Sequence, residues 1–233
     1  MVPPLFSQPH QPHRTLSRDK WLTSTDTRSY VPPVQIGELM RGFAICKIVA
    51  SKSPSFTPGN YVTCSPGWTE LSIQDAKAVS LLQVPPQGKV TDALGVLGGT
   101  GLTAYFGMTD IGRIQPGDFV VVSGAAGATG SVACQIAKIK GATVLGLAGS
   151  DDKVAWLKEL GCDEALNYKD PKFREKFKEA TKGLIDVFFD NVGGEILEAA
   201  LSRAKPHARF VMCGAISQYN NAKPVGPKVW SFL

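Results

Sequence analysis

Nine consecutive residues, Ser123-Gly124-Ala125-Ala126-Gly127-Ala128-Thr129-Gly130-Ser131, hold the sharpest chemical signal in the chain. Their G-x-x-G-x-x-G spacing keeps side chains away from the backbone. A pyrophosphate can then approach the amides at the positive end of a helix and accept their hydrogen bonds. A glycine string alone is weak evidence, because a tight turn that only packs a helix on a strand needs the same residues. Its context is more specific. The apolar run FVVVS (119–123) precedes it, a stretch with Val132, Ile136 and Ile139 on one stripe follows, and a second apolar run spans 143–148. Strand, glycine turn, helix and strand in that order is the setting in which the motif binds a dinucleotide.

Such sites use the tip of the second strand to choose between cofactors. An NAD site usually places a carboxylate there for the ribose hydroxyls. Here, twenty positions past Gly130, the tip reads Ala148-Gly149-Ser150. Without an acid, nothing repels a 2′-phosphate, while Ser150, the helix start that it caps and Lys153 offer donors and positive charge. NADP is therefore expected over NAD. Asp151 and Asp152 are the counter-evidence; they read as first-turn partners of the helix dipole.

The elements around the glycine turn alternate in the expected rhythm. After 119–123 comes a helix ending at Lys138, Lys140 and Gly141, then strand 143–148 and a helix carrying Val154, Leu157 and Leu160 that stops at Gly161. A short strand near 165–168, a helix with Phe173, Phe177 and Ala180, strand 184–190, helix 194–204 and strand 208–213 complete the pattern. This predicts an α/β fold with a doubly wound parallel (Rossmann) sheet. Upstream, FAICKIVAS (43–51), NYVTC (60–64) and WTELSI (68–73) are β-rich runs between turn clusters, a small antiparallel region. Residues 1–31, rich in proline, serine and threonine, read as a disordered leader.

The length of 233 residues allows one large domain and part of a second. Residues 32–90 are expected to form the β domain and 91–233 the cofactor domain. A formal charge of +5, with no block of like charges, argues against a nucleic-acid partner. No run approaches the roughly 18 apolar residues of a membrane span. The start MVPPLFSQPHQPH lacks a signal peptide's basic and apolar regions, so a cytoplasmic protein is expected. Cys46, Cys64, Cys134, Cys162 and Cys213 are scattered, and outside His10 and His13 only His207 supplies an imidazole. Neither a disulfide framework nor a metal site is suggested.

The runs GLTAYFG (101–107), VVVSGAAGATGSV (120–132), AGSDDKVAWLKELGCDEALNYK (148–169), FDNVGGE (189–195) and CGAISQYN (213–220) closely resemble the zinc-independent medium-chain dehydrogenase/reductases. The resemblance is to the branch of the prostaglandin reductases and alkenal double-bond reductases, and it extends from about Pro32 to Leu233. It implies a partial GroES-like substrate domain beside the Rossmann domain. It also implies that Gly127, Ala128, Thr129 and Gly130 hold the pyrophosphate, and that Lys153 and Tyr168 lie at the 2′-phosphate and adenosine end. Asn191, Cys213, Gly214, Ala215, Ile216, Ser217, Gln218 and Tyr219 would line the cofactor toward the nicotinamide.

The implied reaction is hydride transfer from NADPH to the carbon–carbon double bond of an α,β-unsaturated ketone or aldehyde, or the reverse dehydrogenation. The implied partners are a small enone or enal substrate and a second copy of the chain in a homodimer. Compared with full-length members, the first strands of the substrate domain and the last strand of the Rossmann sheet are expected to be absent. A truncated NADP(H)-binding relative with impaired catalysis is the alternative. No catalytic residue is identified, because the tyrosine that some members are thought to use lies around or beyond the chain's end.

Overall fold

The computed structural model describes residues 34–219, 221 and 225–227. The leader expected over 1–31 lies outside the described residues. The chain divides into two compact units, Met1–Gly98 and Gly99–Leu233.

In the first unit, β1 (Ala44–Lys47) pairs antiparallel with β2 (Tyr61–Cys64), which pairs antiparallel with β3 (Ser80–Leu81). Alternation along these strands buries Cys46, Val62 and Cys64 with Ile48 in one small cluster, against which Phe56 and Val79 pack. The Cys64 thiol donates to Cys46 Sγ at 3.5 Å. Burial, and then the Cys64 neighbour, push the Cys46 thiol up to about 12. A cavity of about 630 Å³ opens beside this cluster, lined in part by Phe56, Cys64 and Ile73.

The third strand differs from the sequence expectation. WTELSI contributes only an isolated bridge at Ser72, and Ser80–Leu81 takes the place beside β2. The Thr69 hydroxyl donates to Leu71 O at 2.8 Å, a local bond that competes with ladder pairing.

The second unit begins with α1 (Gly99–Phe106), which continues into a π-turn over Gly107–Ile111. Five parallel strands follow: β4 (Phe119–Val122), β5 (Thr143–Ala148), β6 (Glu164–Asn167), β7 (Ile185–Asp190) and β8 (Ala204–Met212). The helices between them are α2 (Ala128–Ile139), α3 (Asp151–Glu159), α4 (Phe173–Ala180) and α5 (Gly194–Leu201). The strand order is β6-β5-β4-β7-β8. The chain thus winds outward in one direction from β4, then returns to the centre and winds outward in the other, as a doubly wound sheet does. This agrees with the α/β Rossmann reading.

Both faces are covered at the sheet's centre, so β4, β5 and β7 are largely apolar, while the edge strands β6 and β8 carry polar residues such as Glu164, Lys205 and Arg209. Val120 and Val122 of β4 face a cluster containing Ala133, Ala137 and Leu157 from α2 and α3. Val121 faces the opposite cluster, with Phe173 and Phe177 from α4 and Ile196, Leu197 and Ala200 from α5. No helix among the described residues is long and apolar enough to cross a membrane.

Candidate functional site

The sheet reverses its winding between β4 and β7, and the loops leaving these two strands diverge there. That crevice, outside the strand C-termini, is where an open α/β sheet takes a ligand. The glycine turn sits at the β4 side of it. Gly127 is the N-cap of α2, with φ −81° and ψ 169°, and no side chain caps the helix. Ala128, Thr129 and Gly130 form its first turn, whose amides have no partner within the helix. Gly130 can only be glycine, because a Cβ there would lie 2.4 Å from Gly124 O and 2.8 Å from Ala125 Cα. The turn is pressed against its own helix, leaving the outer side to an anion.

The expected adenosine end is at β5 and β6. Gly149 and Ser150 follow β5, and Lys153 is exposed in the first turn of α3. Tyr168 follows β6, its N–H donating to Ala148 O at 2.9 Å. The two carboxylates weighed against NADP have local roles. Asp151 accepts from Asn167 Nδ2 at 2.8 Å. Asp152 is held below its ordinary carboxylate value, first by the Ser150 hydroxyl. Ser150 occupies the N-cap position of α3, but its side chain does not accept the capping bond that the sequence suggested; it turns toward Asp152 instead.

On the other side of β4, Asn191 follows β7. Its N–H donates to Ser123 Oγ at 2.9 Å, and its Nδ2 donates to Ser123 O at 2.7 Å. Residues 213–219 follow β8 and pack on the same loop. Ile216 N donates to Asn191 O at 3.3 Å, and Ser217 donates to Val192 O through N at 3.1 Å and through Oγ at 2.6 Å. Tyr219 Oη accepts from Ala215 N at 3.1 Å, so this ring closes its own loop. Gly193 takes φ +69°, and a Cβ there would meet Ala215 Cβ at 3.1 Å. The Cys213 thiol is pushed above its ordinary value by burial and then by the nearby Asp190 carboxylate.

All fourteen expected site residues therefore lie at one end of the sheet. The strand order sets Lys153 and Tyr168 on one flank, the glycine turn in the middle, and Asn191 with the 213–219 loop on the other. Sequence reasoning passed over Asp190 and gave Ser123 no role beyond opening the turn. Asp190 is fully buried, one of three buried polar side chains among the described residues, together with Ser123 and Thr181. An acid ending the apolar run IDVFFD was its only signal.

Among the described residues, no cluster of three or more His, Cys, Asp or Glu side chains is placed to hold a metal ion. Two family models match the chain: N-terminal domain of oxidoreductase over residues 18–82, and zinc-binding dehydrogenase over 128–229. The first begins upstream of Pro32, where the resemblance was expected to start. The chain is 46% identical over 194 residues to prostaglandin reductase 1 of Bos taurus, spanning 82% of this chain and 59% of that protein. It is 37% identical to the NADPH-dependent curcumin reductase of Escherichia coli, spanning 91% of this chain and 62% of that protein. The crystal structure of CurA from Vibrio vulnificus in complex with NADPH superposes with a TM-score of 0.80 at 39% identity, over 89% of this chain and 62% of that one. The chain thus spans about three-fifths of the length of these relatives. Shared domain models, identity and fold place it in the medium-chain dehydrogenase/reductase family, in the branch of the prostaglandin reductases and alkenal double-bond reductases.

Proposed function

We propose that this chain is an NADPH-dependent oxidoreductase that reduces the carbon–carbon double bond of an α,β-unsaturated ketone or aldehyde, or runs the reverse dehydrogenation. The observation that carries the reading is the order of groups across the sheet: Lys153 and Tyr168, then the uncapped α2 N-terminus, then Asn191 and residues 213–217. That order matches a 2′-phosphoadenosine, a pyrophosphate and a nicotinamide ribose in turn. Similarity to a curcumin reductase, to prostaglandin reductases and to a protein crystallised with NADPH supports the cofactor and the activated alkene.

NADPH supplies the reducing equivalent when bound. The protein's part is binding and orientation. The α2 amides take the phosphate charge, Lys153 favours the 2′-phosphate, and Asn191, held by two bonds to Ser123, offers a fixed amide to the nicotinamide half. No metal is assigned a role.

The partners in this reading are a small enone or enal and a second copy of the chain; a nucleic acid has no part in it. Five cysteines scattered along the chain, odd in number and without a C-x-x-C pair, fit a reducing compartment such as the cytoplasm. The test is to incubate the purified chain with NADPH and a panel of medium-chain enals and enones, following loss of the reduced-nicotinamide absorbance. Substrate-dependent oxidation that is faster with NADPH than with NADH is expected. No oxidation with any member of the panel overturns the reading.

A further inference from the structure

Asp190 is wholly buried, yet the bonds that it accepts come from neutral groups at the edge of the crevice. Oδ1 accepts from Ser123 Oγ at 2.6 Å, Val192 N at 2.9 Å and Gly193 N at 3.0 Å, and Oδ2 accepts from Gly193 N at 3.1 Å. Its backbone carbonyl accepts from Cys213 N and Gly214 N, each at 2.9 Å. The side chain thus ties the end of β4 to the 191–193 turn, and the main chain ties β7 to the start of the 213–219 loop. Ser123 Oγ, while donating to Asp190, accepts from Asn191 N at 2.9 Å. One residue therefore holds both segments assigned to the nicotinamide half, its carboxylate the 191–193 turn and its backbone carbonyl the start of the 213–219 loop, and none assigned to the adenosine half.

A carboxylate suits this place because every group around it is a donor. Asparagine has the same shape but replaces one oxygen with an NH₂ group. With its oxygen toward Ser123 and Val192, it turns that NH₂ toward the Gly193 N–H, donor against donor.

We infer that Asp190 is a positioning residue for the nicotinamide half of the cofactor site, acting through Ser123, Asn191 and the 213–217 loop. The inference rests on the NADPH reading above. It predicts that disturbing Asp190 separates two affinities that a general loss of stability would move together: that for whole NADPH and that for adenosine 2′,5′-bisphosphate, which has the adenosine and 2′-phosphate but no nicotinamide.

The experiment compares both ligands by calorimetric titration on the full chain and on Asp190→Asn, with Ser123→Ala as a second variant that keeps the carboxylate. For Asp190→Asn, the Kd for NADPH should rise about tenfold while that for adenosine 2′,5′-bisphosphate stays within about twofold. Ser123→Ala should shift the ratio in the same direction by less, and it carries the test alone if Asp190→Asn does not fold. Parallel shifts of the two ligands, or none, overturn the positioning role while leaving the NADPH reading standing. If the unaltered chain binds neither ligand, the NADPH reading fails and the inference fails with it.

Discussion

The hydroxyl of Tyr168 lies so close over Gly149 that a Cβ on Gly149 would fall 2.5 Å from Tyr168 Oη and 2.8 Å from its Cζ. The tips of β5 and β6 are locked by this contact and by the Tyr168 N–H bond to Ala148 O. The ring that the adenosine assignment requires is therefore placed by the absence of a side chain nineteen positions earlier in the sequence. Gly149→Ala should destabilise the second unit by about 1 to 3 kcal/mol through overpacking. Gly149→Ala combined with Tyr168→Ala should cost less than the sum of the single changes, because the second removes the clash that the first creates. Urea unfolding of the four proteins measures the coupling; strict additivity would mean that the contact carries no energy.

Lys153 has a narrower expected effect. Lys153→Ala should weaken NADPH binding by about tenfold, one charge-assisted phosphate contact, and leave NADH binding nearly unchanged. Fluorescence titration with the two cofactors reads this directly. Equal losses for both would remove the residue from the 2′-phosphate.

Cys213 is the exposed thiol in a set whose other four members are buried. Burial and the Asp190 charge raise its pKa, so little thiolate is present at neutral pH. Alkylation by iodoacetamide should be slow at pH 7 and continue to accelerate beyond pH 9, where an ordinary thiol levels off. Bound NADPH should slow it further. Peptide mass mapping against time identifies the site, and alkylation at the same rate with saturating NADPH would place the thiol outside the cofactor's cover.

Burial pushes the Asp163 carboxyl up, but Lys138 Nζ at 2.7 Å and the Val144 N–H, also at 2.7 Å, outweigh it and leave the pKa below its ordinary value. A depressed carboxylate stabilises the fold above its unfolded-state pKa, and that share is lost as pH falls through the lower folded value. Both partners are more than a third exposed, so solvent keeps the contribution of the ion pair below about 1 kcal/mol. Lys138→Met should therefore lower the urea midpoint slightly at pH 7, and the difference should shrink below pH 4. A difference that grows on acidification would contradict this linkage.

Much of the fold was legible before any coordinates. Apolar runs closed by turn residues marked β4, β5 and β7 and their helices, because strands buried on both faces and helices packed on one face must repeat at different periods; β8 is longer than the expected 208–213, since its polar first half, from Ala204, lies at the sheet edge and carries no apolar pattern. The exceptions have local causes. The side chain of Thr69 bonds its own backbone and WTELSI makes no strand, and Ser150 turns to Asp152 rather than to the helix start. Periodicity does not register such choices.

Residue types and spacing sufficed to find the glycine turn, because a pyrophosphate cradle is built within one strand–helix junction. The same local logic identified the missing acid after β5. Bringing Lys153, Gly127 and Asn191 into one line required the strand order β6-β5-β4-β7-β8, which is set by which sheet edge each returning strand joins. Asp190 shows the difference most plainly. In the chain it is one more acid at a strand's end; in the fold it accepts from Ser123, which lies 67 positions away, in a place closed to bulk solvent. Only packing closes that place, and only then does the identity of a single oxygen decide how the end of β4 and the 191–193 turn are held together.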